Sequence, residues 1–162
     1  MFPAFSWTAK RPVLVAAFLA VSAVPCLSFA QGSPSPLATA SHLKCTFTVV
    51  STGTWSKDND AGAEIKKTDL TVEYRSIDIP GGTAEAVGLT GNFFITVRFI
   101  VGSLHLLALG DAGPLYVTTV FSRPAHSGTF KAVHTRHEFT DVAMPGYTSR
   151  PEQYIGECQI VE

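Results

Sequence analysis

The chain has 162 residues, 46% of them hydrophobic and 15% charged, with a formal net charge of −1. That length allows one well-packed core and an appendage, and excludes two full domains. The Lys and Arg residues are scattered with no basic stripe, which sets nucleic acid aside as a partner.

Lys10 and Arg11 precede the apolar run VLVAAFLAVSAV, and Ser28-Phe29-Ala30 forms a small-x-small cleavage signal just before QGSPSP. This is the layout of a secretory signal peptide over residues 1–30. The run is short for a membrane span and ends in Pro25 without a basic stop-transfer cluster, so no stable span is expected after cleavage. Lipidation of Cys26 requires a small residue before it, and Pro25 stands there. Losing Lys10 and Arg11 with the leader leaves 10 basic against 13 acidic residues. The expected address is the periplasm or the exterior of a bacterial cell.

Residues 31–42, QGSPSPLATASH, carry no apolar period and read as a flexible leader, with the folded domain over 43–162. From there the pattern has period two. Leu43, Cys45, Phe47 and Val49 share one face of LKCTFTVV, and Leu70, Val72 and Tyr74 alternate with polar residues in DLTVEYR, 69–75. Both are half-buried strands. Pro80-Gly81-Gly82 separates RSIDI from TAEAVG. Gly102-Ser103 breaks FFITVRFIV (93–101) from LHLLAL (104–109), and Gly110 to Gly113 precede PLYVTTVF. A turn over Arg123–Gly128 leads to TFKAVHTRHEF, and an irregular loop over 143–151 leads to QYIGECQIV. About eight strands with hairpin turns and no amphipathic helix give an all-β domain. The expected form is a single antiparallel up-and-down β-barrel, with a two-sheet β-sandwich as the alternative.

Export leaves two cysteines, Cys45 on the first strand and Cys158 on the last. An oxidising compartment favours a Cys45–Cys158 disulfide, and a barrel places those strands side by side. Strands 93–101 and 104–109 are apolar on both faces. Phe93, Ile95, Val97 and Phe99 oppose Phe94 and Ile100, and Leu104 and Leu106 oppose Leu107 and Leu109. A second apolar face invites cover from a loop, from the 31–42 leader, from a second copy of the chain in a homodimer, or from a protein partner.

The segment KAVHTRHEFTD concentrates the polar chemistry. Two histidines four apart on a helix share one face and hold zinc, but His134 and His137 are three apart on a strand and point to opposite sides. The strand groups His134, Arg136 and Glu138 with Phe130 and Ala132. Facing inward, this set is a polar cluster for an anionic or hydrogen-bonding ligand; facing outward, it is a solvated ladder. No nucleophile constellation accompanies it, so neither an enzyme nor a cofactor is expected. In DNDAG, 58–62, Gly62 stands where a calcium loop needs its next oxygen ligand, which leaves a hairpin tip and no metal site. YTSRPEQY, 147–154, lies in the longest loop.

Gly53-Thr54-Trp55 resembles the G-x-W signature of lipocalins and avidin-type barrels. That resemblance implies a tryptophan packed across one barrel end, although the chain has no later Thr-Asp-Tyr. The candidate ligand pocket is therefore built from Trp55, His134, Arg136, Arg150 and Tyr154. The size, signal peptide and terminal disulfide are similar to those of small periplasmic lysozyme-inhibitor barrels, and Ser127-Gly128 resembles their Ser-Gly loop. The expected function is an exported, non-enzymatic barrel that binds a small ligand. The alternative is a lysozyme-inhibitor-like protein-interaction module that uses an apolar face of strands 93–109.

Overall fold

The computed structural model describes residues 35–56, 58, 60–87, 94–110, 114–138 and 150–162. Eight antiparallel strands follow one another around a closed ring: β1 Leu43–Trp55, β2 Ala61–Asp78, β3 Thr83–Val87, β4 Phe94–Ile100, β5 Ser103–Leu109, β6 Leu115–Pro124, β7 Thr129–His137 and β8 Glu152–Ile160. The ring is the expected barrel, and no sandwich forms. The segment expected to be a signal peptide, Phe93 and most of the 143–151 loop lie outside the described residues.

Alternation fills the lumen. Cys45, Phe47, Val72, Ile95, Val97, Leu104, Leu106, Ala108, Val120 and Ala132 point inward and are buried, while Thr96, Arg98 and Leu109 face out. Leu107 also faces out and is partly exposed. Closure is made by β1 and β8, with Cys45 directly opposite Cys158 in the ladder. The two form a disulfide with a sequence separation of 113. A loop of that size is worth roughly 4–5 kcal/mol in the chain-entropy account.

The same seam contains a β-bulge, with a register shift between Phe47 and Val49. The kinked β1 lies against Gly156 of β8. A Cβ at Gly156 would sit 2.6 Å from the Phe47 Cα and closer still to the Thr46 carbonyl oxygen. Only glycine permits that backbone approach.

One barrel end carries the β2–β3, β4–β5 and β6–β7 turns, and a short 3-10 helix, Pro36–Thr39, closes it. Leu37 is 0% exposed in the core. Ser122 Oγ donates to Ser35 Oγ at 2.6 Å, and Ile77 N–H donates to the Ser41 carbonyl at 2.9 Å. The second half of the leader is thus a plug. Its sequence gave no periodic signal because a single buried leucine in a four-residue helix has no period to show.

The sequence also underestimates β1 and β2. Residues 61–67 are exposed throughout, so they carry no apolar alternation, yet they pair with Val49–Trp55 as one long hairpin. Ser56 Oγ accepts from the Asp58 and Asp60 N–H groups at 3.2 and 3.1 Å, which places DNDAG at its tip.

Two substitutions test this geometry. Gly156→Ala pushes a methyl into backbone and is expected to lower the unfolding free energy by about 2–3 kcal/mol in urea titration. Val101, 97% exposed, sits at φ +46° beside Gly102 at φ +72° in the two-residue β4–β5 turn. A β-branched residue is strained there, and this turn type prefers Asn-Gly. Val101→Asn is expected to raise stability by about 1 kcal/mol, measured in the same titration.

Candidate functional site

The inward face of β7 carries Ala132, His134 and Arg136, and the strand's alternation continues to Glu138. The cross-strand partners of His134 are Thr118 on β6 and Tyr154 on β8; those of Arg136 are Tyr116 and Glu152. Ladder register alone therefore gathers two tyrosines, a histidine, an arginine and a carboxylate on one stretch of wall.

At mid-height the lumen is bridged. Tyr74 on β2 makes a hydrogen bond from its hydroxyl to Thr118 Oγ1 on β6, and Thr118 Oγ1 lies 2.7 Å from His134 Nδ1. β2 and β6 are four strands apart in an eight-strand ring, on opposite walls. Both hydroxyl protons and Nδ1 are satisfied when Tyr74 donates to Thr118 and Thr118 donates to Nδ1, which puts the histidine proton on Nε2. Three rings surround the imidazole: Phe47 at 5.6 Å, Tyr154 at 5.7 Å and Tyr116 stacked at 6.0 Å. His134 is 1% exposed. Burial, assisted by the nearby Arg136 charge, pushes its pKa down to about 4. Burial likewise raises Tyr74 above the ordinary tyrosine value, against the opposing effect of its Thr118 bond.

Toward the barrel end that holds the β1–β2, β5–β6 and β7–β8 connections, the cluster becomes ionic. The Arg136 guanidinium bonds Glu138, lies 3.9 Å from a Glu152 oxygen, and stands over the Tyr116 ring at 5.9 Å. Tyr154 O–H donates to Glu152 Oε2 at 2.6 Å. Its own burial, followed by the Glu152 carboxylate, raises the Tyr154 pKa. The Arg136 and Glu138 side chains are 13% and 14% exposed and that of Glu152 is 6%. One guanidinium against two carboxyl groups leaves no excess positive charge, which disfavours an anion. It suits a neutral or cationic molecule that hydrogen-bonds and stacks on tyrosine.

Of the five residues singled out in the sequence, the fold brings together His134, Arg136 and Tyr154. Trp55 is 51% exposed at the end of β1. Arg150 is exposed and acts electrostatically on Glu64 of the β1–β2 hairpin, outside the lumen. His137 is exposed on the outer wall, opposite to His134 as strand geometry requires. Sequence reading passed over Tyr74, Tyr116, Thr118 and Glu152. The signal was present, since Tyr116 and Thr118 alternate with Val120 on one strand and Glu152 lies two residues from Tyr154. The strand-to-strand register that makes them neighbours is what the sequence lacked.

Among the described residues no group of three or more His, Cys, Asp or Glu side chains is placed to hold a metal ion. No helix among them is long and apolar enough to cross a membrane. Comparison with protein-family models, with curated proteins and with solved structures finds no match.

The depressed His134 pKa makes stability depend on pH. The folded value lies below the unfolded one, so the contribution is complete above about pH 6.5. It falls as acid protonates the unfolded imidazole, and levels off near pH 4, where the folded form also takes the proton. The loss amounts to about 3 kcal/mol over that window. Urea unfolding measured from pH 7.5 to 4 is expected to show this slope, and His134→Gln is expected to flatten it.

Proposed function

We propose that the protein is an exported barrel that binds a small polar molecule, neutral or cationic, at the barrel end lined by Tyr116, Arg136, Glu152 and Tyr154. It acts by binding and not by chemistry. The observation that carries this reading is the inward ionic cluster. Charged groups turned into a lumen are costly to bury, and they stand around two tyrosines at the end opposite the 3-10 plug. Such convergent polar groups among aromatic walls are what a small-molecule site needs. Export rests on the signal-peptide layout of residues 1–30 and on a disulfide that an oxidising compartment preserves. A binding role without catalysis agrees with the partners present. His134 Nδ1 faces a threonine hydroxyl, and both cysteines of the barrel are bonded to each other.

A second reading draws on the outer wall. Ile100 is 57% exposed, Val101 97% and Leu109 69%, and Leu107 lies on the same outward face of β5. Ile100 and Val101 lie at one end of this face and Leu107 and Leu109 toward the other, with the Arg98–His105 pair between them. They make two small apolar patches that an interaction or inhibitor module could use.

Native mass spectrometry of the protein purified from an exported compartment separates the two. The expected result is a noncovalent small-molecule adduct that Arg136→Gln or Tyr154→Phe loses and that His126→Ala, on the outer surface, retains. A bare protein in every preparation transfers support to the interaction reading.

A further inference from the structure

We propose that two copies of the chain associate through the open edge of β2, pairing antiparallel about a two-fold axis at Ile65. This is independent of the ligand reading. β2 runs from Ala61 to Asp78, but its ladder with β3 begins only at Glu73. Among the described residues, Ala61–Val72 pair on the β1 side alone. Over residues 61–67 that edge is exposed, and its outward N–H and C=O groups are the template that strand addition uses. Residues 61–67 are exposed on both faces, and Ile65 is 75% exposed at their centre. Over residues 64–67 the strand is the outer member of a three-stranded stretch, with β1 behind it and β8 behind β1, so its edge can be extended by a further strand.

Among registers centred on residues 64–67, symmetry and charge select one. Opposed pairs in an antiparallel ladder alternate between hydrogen-bonded and non-hydrogen-bonded types. Two identical strands related by a two-fold axis can therefore pair only with some residue facing its own copy. Centring on Glu64 opposes two carboxylates, and centring on Lys66 or Lys67 opposes two ammonium groups. Centring on Ile65 instead sets isoleucine against isoleucine, Glu64 of each copy against Lys66 of the other, and Lys67 against Ala63. Opposite charges facing across strands stabilise a pair and like charges destabilise it. Within one chain Glu64 and Lys66 already form an ion pair at 2.6 Å on one face, so the assembled edge carries four alternating charges on that face. Lys66, which deters unrelated strands, is thus matched by Glu64 of a second copy, while Lys67 faces the small Ala63. The product is a continuous sheet in the order β8–β1–β2–β2–β1–β8 joining two barrels.

The test uses protein produced from the full-length sequence, with Cys26→Ser to leave Cys45 and Cys158 as its cysteines. Light scattering is expected to give twice the monomer mass. Lys66→Glu is expected to yield monomer, and Glu64→Lys combined with Lys66→Glu to restore the dimer. Ile65→Cys is expected to form a reducible covalent dimer. Lys67→Cys is not, because its two copies lie about 13 Å apart along the paired strands. A monomer at every concentration, a dimer indifferent to Lys66→Glu, or equal cross-linking at 65 and 67 overturns the proposal.

Discussion

The hydrogen-bonded chain Tyr74–Thr118–His134 spans the lumen from β2 to β6 and β7, and much else in the barrel follows from it. An eight-stranded barrel is just wide enough for side chains to fill. Here the fill at mid-height is polar, so every donor must meet an acceptor or cost desolvation energy. Tyr74 and Thr118 satisfy one another, and Thr118 fixes the histidine tautomer. Three aromatic rings then exclude water, which keeps the imidazole neutral near pH 7. The bridge also divides the interior. Below it the core is apolar and capped by Leu37; above it lie Arg136, Glu138, Glu152 and Tyr154, a cluster of polar groups turned inward.

The ring closes at the β1–β8 seam, where the disulfide, the bulge and Gly156 act together. The bulge shifts the register of β1 against β8, and beyond it residues 49–52 stay paired with β8 on one side and β2 on the other. Only residues 53–55 and 61–63 run past the β1–β8 ladder as a two-stranded hairpin. The hydrophobic effect supplies the drive to close, but the glycine decides how near the two terminal strands can come.

The sequence discloses the parts of this architecture that repeat. Alternation in LKCTFTVV, LHLLAL and PLYVTTVF gives both the strands and their inward faces, and the two cysteines indicate that the first strand meets the last. It is silent where burial does not alternate. The hairpin arm over 61–67 is wet on both faces, and the plug buries one leucine. For the candidate site, period two already sorted His134, Arg136 and Glu138 from His137, because one-strand geometry needs no partner. Whether that face looked inward, and that Tyr74 reaches it from across the lumen, depends on contacts between residues 44 and 16 positions apart. No local pattern encodes those. The G-x-W resemblance brings in Trp55, and the long loop brings in Arg150; Trp55 ends β1 on the β1–β2 hairpin, and Arg150 stands just before β8 and acts on Glu64 of that hairpin.

The claim that a polar bridge ties opposite walls of the barrel is tested most directly by a double-mutant cycle on Tyr74→Phe and Thr118→Val, read by urea unfolding at pH 7.5. The bridge predicts a coupling energy of about 1 kcal/mol or more, since each single change leaves its partner's hydroxyl buried without its acceptor or donor. Strictly additive losses would contradict it and would mean that the two hydroxyls fill space in the lumen without holding each other.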